Sequence, residues 1–197
     1  MNVIITNMVK ILGIVGSPRK GGNTEILVDE ALKSAKEFGA ETEIIRLAEV
    51  NIMPCDGCES CGITKKCKID DDFKVVFERM KDADAILLAS PSYFESVTPH
   101  MKALIDRTGF YNTRALGRTA FSGKVGGAIS VAYRTGLATT WGQMLIFILS
   151  QKMIVPGIAS FANAIGNKPG DVVKDSEGIE KARELGKTMV ELAQKLK

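Results

Sequence analysis

The sequence predicts an α/β domain built on a doubly wound parallel sheet of five strands. Short runs rich in β-branched and aliphatic residues alternate along the chain with longer stretches whose apolar positions recur at helical spacing. The third of the short runs, DAILLAS at 84–90, is apolar throughout, as in a strand covered on both faces. At 197 residues with 45% hydrophobic content, the chain fits one domain (1–197) with a substantial core.

Residues 9–15, VKILGIV, read as the first strand. After SPRKGGN comes TEILVDEALKSAKEFG (24–39), where Ile26, Leu27, Ala31, Leu32, Ala35 and Phe38 keep helical spacing and Gly39 supplies a stop. ETEIIRL (41–47) is the second strand. DDFKVVFERMKDA (71–83) is a helix led by acidic residues that suit its N-terminal dipole. After the third strand, TPHMKALIDRTG opens a helix with Thr98 as N-cap and Pro99 at the first helical position. KVGGAISVA (124–132) is the fourth strand, ATTWGQMLIFILSQKM a helix, IVPGIASFA (154–162) the fifth strand, and SEGIEKARELGKTMVELAQKLK the closing helix. Such a sheet binds ligands at the carboxyl ends of its strands. The one long irregular piece, about 48–70, has a length that inside a compact domain is usually functional.

Several function classes fall away. The 26 basic and 23 acidic residues form no block of like charge, so no nucleic-acid partner is expected. The N-terminal MNVIITNMVK lacks the marks of a signal peptide, and the longest apolar run, MLIFIL at 144–149, is far short of the roughly 18 residues of a membrane span. A cytoplasmic protein with no membrane partner is the expectation. The sole histidine, His100, falls in a first helical turn, where a surface role is expected. With no catalytic histidine or carboxylate set in view, hydrolysis has little support, and a cofactor must carry the chemistry.

The first strand ends in GSPRKGGNT (16–24), which puts Ser17, Arg19, Gly22, Asn23 and Thr24 where a helix begins and its unpaired N–H groups suit a phosphate. Gly16 and Gly21 have the spacing of a nucleoside-triphosphate loop, but Gly22 and Asn23 stand where its lysine and hydroxyl would be. The turn offers no G-x-G-x-x-G, and no cysteine begins a C-x5-R phosphatase loop. What remains suits a small phosphate monoester, with FMN the leading candidate. Pro91, Ser92, Tyr93 and Phe94 after the third strand, and Tyr133 and Arg134 after the fourth, supply a stiff turn and aromatic faces for a flat ring.

All four cysteines, Cys55, Cys58, Cys61 and Cys67, fall in CDGCESCGITKKC as C-x2-C-x2-C-x5-C. Soft thiolates select iron-sulfur clusters, zinc or Cu(I), and the two successive C-x2-C steps are similar to the compact run of bacterial ferredoxins. Lys65, Lys66 and Lys68 would offset negative charge there. Zinc remains an alternative, although its sites usually pair two knuckles across a longer stretch.

GSPRKGGNT, CDGCESCGITKKC, SPSYFESVTPHMKALIDR and GKVGGA, in this order, resemble the iron-sulfur flavoprotein family, a branch of the flavodoxin-like NAD(P)H-dependent FMN reductases, over about residues 9–165. The resemblance implies a flavodoxin-like fold of strand order 2-1-3-4-5, FMN on the loops just named, a [4Fe-4S] cluster on the four cysteines and a homodimer or tetramer. It also implies an oxidoreductase passing electrons between a carrier, with ferredoxin or NAD(P)H as donor, and an acceptor such as oxygen or peroxide. The apolar helix segment WGQMLIFIL, with Trp141 and Phe147, is the expected subunit contact. Two other readings stand beside this one: an NAD(P)H-dependent FMN or quinone reductase, and a zinc-stabilised binding module without catalysis.

Overall fold

The structure is a computed structural model that describes residues 8–197; the first seven residues of MNVIITNMVK lie outside them. β1 (Val9–Val15) is an interior strand of the sheet, buried on both faces apart from Lys10. Ile11 and Val15 enter one core layer, and Leu12 and Ile14 enter the other. β2 (Ala40–Arg46), β3 (Ala85–Pro91), β4 (Val125–Ala132) and β5 (Asn163–Ile165) complete an all-parallel sheet of order β2-β1-β3-β4-β5. This is the expected flavodoxin-like order, and the chain changes direction across the sheet between β1 and β3.

α1 (Asn23–Glu37) and α6 (Ser176–Leu196) cover the first layer. They pack so closely that a Cβ on Gly186 would stand 2.0 Å from the Ala31 carbonyl oxygen, which only glycine permits. α3 (Phe73–Asp82), α4 (Pro99–Leu116) and α5 (Leu137–Ser150) cover the second layer. As expected, Thr98 caps α4: its hydroxyl accepts from Met101 N at 3.2 Å, and Pro99 occupies the first turn. Among the described residues, no helix is long and apolar enough to cross a membrane.

Three expectations need correction. The fifth strand is not 154–162 but Asn163–Ile165. Ile154 pairs with Val125 as an isolated parallel bridge, and pairing resumes only at Asn163 with Ser130. β4 thus advances five residues while the facing chain advances nine, and Pro156, which has no N–H for the ladder, lies in the excursion. Second, the stretch 48–70 is not wholly irregular, since it holds a 3-10 turn from 47 to 49 and α2 (Ser60–Thr64). Third, Trp141 and Phe147 face their own core: the Trp141 indole donates to Ala128 O at 3.1 Å, and Phe147 is buried. The outer face of α5 carries Ile146 and Leu149 instead, 69% and 55% exposed.

Candidate functional site

At the carboxyl ends of the strands, beside the β1/β3 switch point, lies a cavity of about 190 Å³. Ser17, Arg19, Asn23 and Thr24 line it after β1; Pro91, Ser92 and Tyr93 at the end of β3; Val131, Ala132 and Tyr133 from β4; and Gly166, Asn167 and Pro169 after β5. Eight of the eleven residues expected from sequence to hold a flavin are therefore brought together. Gly22, Phe94 and Arg134 do not line the cavity. Gly22 is the N-cap of α1, where a Cβ would press on Arg19 O at 3.0 Å. Phe94 is fully exposed, and Arg134 is exposed as well.

The wall nearest α1 suits an anion. No side chain caps the first turn of this 15-residue helix, so its N–H groups and positive dipole end face the cavity that Thr24 and Asn23 line. Glu25 fixes the loop from behind: it accepts from Gly21 N at 2.7 Å and from Arg46 Nε at 2.7 Å, with Arg46 Nη2 at 2.6 Å from its carboxylate. Burial alone would raise the Glu25 carboxyl, but the Arg46 and Gly21 hydrogen bonds outweigh it and hold the group below its ordinary range. Asn23 is committed to a strut across the site. Its Nδ2 donates to Lys168 O at 2.9 Å, and its Oδ1 accepts from Val172 N at 3.3 Å.

The opposite walls are stitched to the same loop. Gly16 N donates to Ala89 O at 2.7 Å, the Thr98 hydroxyl donates to Gly16 O at 2.7 Å, and Ser92 N donates to Val131 O at 2.7 Å. Tyr93 and Ser96 exchange backbone hydrogen bonds across a two-residue turn in which Phe94 and Glu95 both have positive φ, +50° and +67°. Two non-glycine residues in that region mark stored strain, which concentrates at functional sites. Gly136, at φ +87°, packs against this turn: a Cβ there would stand 2.0 Å from Ser92 Oγ. Among the described residues that line the cavity there is no carboxylate, histidine or thiol.

Sequence reasoning missed Gly166, Asn167 and Pro169, which follow β5; a strand placed at 163–165 would have flagged them as a fourth strand-end loop. It also missed Glu25, which looks like an ordinary first-turn acid until Arg46 is folded against it.

A second cleft is lined by all four cysteines together with Arg107, Phe110 and Tyr111 of α4. Cys55, Cys61 and Cys67 are half-buried, and Cys58 is exposed. Burial, followed by the neighbouring Cys67, Cys55 and Cys58, pushes the Cys61 thiol up, so the four groups lie within electrostatic reach of one another. Asp56 accepts from Cys58 N at 3.2 Å and pairs with Lys68 at 2.9 Å, contacts that hold its carboxyl down at about 2. Glu59 and Lys65, the residues flanking α2, both have φ of +58°. Tyr111 donates to Lys65 O at 3.1 Å, docking the loop on α4. Among the described residues, no group of three or more His, Cys, Asp or Glu side chains is arranged to hold a single metal ion.

The sequence profile of the NADPH-dependent FMN reductase family matches residues 9–168. An iron-sulfur flavoprotein of Methanocaldococcus jannaschii is 42% identical, covering 95% of this chain and 99% of the relative. The chain belongs to the iron-sulfur flavoprotein family of FMN reductases. It is an oxidoreductase with a flavin redox function. An NAD(P)H dehydrogenase (quinone) of Archaeoglobus fulgidus is 30% identical, covering 89% of this chain and 93% of the relative. A solved archaeal flavodoxin superposes with a TM-score of 0.60 at 14% identity, covering 94% of this chain and 99% of its own, a likeness of fold.

Proposed function

We propose that this flavoprotein passes electrons between a carrier and an acceptor through one FMN and one [4Fe-4S] cluster per chain. The observation that carries the reading is that eight residues chosen for a flavin from three separate loops line one cavity, while the four cysteines line one cleft. When bound, FMN supplies one- and two-electron chemistry and the cluster a one-electron relay.

The chain's own part is binding and shielding. The α1 N–H groups, Ser17, Arg19 and Thr24 would take the phosphate, with Asn23 bracing the loop through Lys168 and Val172. Pro91, Ser92, Tyr93 and Tyr133 would flank the ring, Tyr93 and Tyr133 being 43% and 62% exposed and so free to offer an aromatic face. The donor set of the second cleft fits a cluster. Four thiolates give one ligand to each iron of a cluster, and the two successive C-x2-C steps match the compact ferredoxin run better than the spaced knuckles usual for zinc. The exposed Ile146 and Leu149 on α5 support a homodimer or tetramer.

The test is an anaerobic purification followed by heat release of the flavin and a metal and sulfide count. About four iron and four sulfide per chain with a flavin monophosphate is the expected result; stoichiometric zinc without sulfide would overturn the cluster. Bleaching by reduced ferredoxin but not NADPH would fix the donor as the carrier. Fast bleaching by NADPH alone would turn the reading to a direct NAD(P)H-dependent reductase, the activity for which the Archaeoglobus fulgidus NAD(P)H dehydrogenase (quinone) is named.

A further inference from the structure

Arg107 is a fully buried cation that the flavin pocket does not use. Taking a guanidinium out of water costs several kcal/mol unless partners surround it. Its Nη1 donates to Asp71 Oδ2 at 2.8 Å and to Met53 O at 2.8 Å. Its Nη2 donates to Asp71 Oδ1 at 3.1 Å and to Cys67 Sγ at 3.2 Å. The side chains of Arg107 and Asp71 are each only 1% exposed, and the Phe73 ring lies against the guanidinium at 4.5 Å, so water does not compete on that face. Arg107 Nε is left buried without a hydrogen-bond partner. The side chain is thus oriented by its two terminal nitrogens.

The same pair gathers both ends of the cysteine segment. Asp71 also accepts from Met53 N at 2.9 Å and from Phe73 N at 3.1 Å, so the chain entering the loop and the chain leaving it meet at one carboxylate. Cys67 is the outlying cysteine of the pattern, separated from Cys61 by five residues rather than two.

We infer that Arg107 is a positioning residue for Cys67 whose N–H···S bond raises the reduction potential of the cluster held there. The inference rests on the cluster reading proposed above. A hydrogen bond from a dry, permanently charged donor withdraws electron density from a ligating sulfur and stabilises the reduced, more negative state of the centre. An ion pair that served folding alone would change stability and leave that equilibrium where it was.

The experiment is a redox titration of anaerobically purified holo-protein, with the cluster followed by electron paramagnetic resonance and the flavin by absorption. Asp71→Asn combined with Arg107→Met removes cation and anion together and strands neither charge in the interior. The cluster's reduction equilibrium should shift about tenfold toward the oxidised form, about 59 mV downward for one electron, with the flavin unmoved. Arg107→Lys keeps the charge but replaces the planar two-nitrogen fork with a single nitrogen in place of the two that reach Asp71, Met53 and Cys67, and should shift it the same way by less. An unmoved potential in a variant with full iron content overturns the inference and leaves the cluster standing. An unsubstituted protein lacking iron and sulfide overturns both. If neither variant keeps its cluster, electron-nuclear double resonance on the unsubstituted protein carrying guanidino-15N arginine decides: a 15N coupling to the reduced cluster supports the inference, and no coupling overturns it.

Discussion

The cavity at the strand ends is walled by loops from four strands that hydrogen-bond to one another, whereas the cysteine cleft hangs on a single loop closed by one buried ion pair and rested on α4. In the first, each wall is held by a neighbour: Gly16 by Ala89 and Thr98, Ser92 by Val131, Asn23 by Lys168. In the second, the residues flanking α2 sit at positive φ, and three of the four thiols are only half-buried. The pocket is preorganised by the fold. On the cluster reading proposed above, the cleft is finished by its occupant, as loop metal sites generally are.

The sharpest break in that comparison is removal of the occupant. Cys→Ser at Cys55, Cys58, Cys61 or Cys67 should abolish or degrade the cluster while the flavin stays bound with a folded sheet, measured by iron, sulfide and flavin content of one anaerobic sample. Simultaneous loss of flavin would show that the two sites are not independent.

Next comes the pocket. Thr24→Val removes a hydroxyl from the anion wall, and a hydrogen bond to a charged group is worth about 1.5 to 3 kcal/mol. Flavin affinity should fall roughly 10- to 100-fold in fluorescence titration of the apoprotein, and unchanged affinity would remove Thr24 from the phosphate site. Gly136→Ala should act in the same assay without touching the phosphate end. It forces a side chain into an αL residue, at about 1 to 2 kcal/mol, and drives a methyl toward Ser92.

The α5 surface is separate from both sites. Ile146→Asp should lower the assembled mass in light scattering with little change in thermal midpoint, since Ile146 is mostly exposed within its own chain. An unsubstituted protein that is already monomeric would refute the assembly. The smallest effect expected is with pH. Glu25 titrates below its usual 4.5 when folded, so its bracing is complete above that value and is lost as pH falls through the lower folded value. Flavin release followed by fluorescence should therefore set in below pH 4.5 and weaken in Glu25→Gln.

Much of this was legible in one sequence because it is written locally. The strand runs, the Thr98-Pro99 cap and the three strand-end loops each announce themselves within ten residues or so. What escaped is written across distance. Arg107 closes the sequence stretch that predicted the ring-flanking turn, yet its partners Asp71 and Cys67 lie 36 and 40 residues away. The fifth strand was misplaced because apolar, β-branched Ile154 and Val155 read as its start, when only an isolated bridge forms there before Pro156 breaks the ladder. That error hid the 166–169 loop. Phe94 reads in sequence as a second aromatic face beside Tyr93, but it sits at positive φ and is fully exposed.

The strut from Asn23 to Lys168 and Val172 spans 145 and 149 residues of chain. The ribosome makes α1 long before the segment that supplies the last wall of the cavity. A nascent chain can therefore assemble β1 to β4 and still offer the cofactor an open trough. A chain truncated before Gly166 should therefore fold much of its sheet yet fail to retain a flavin.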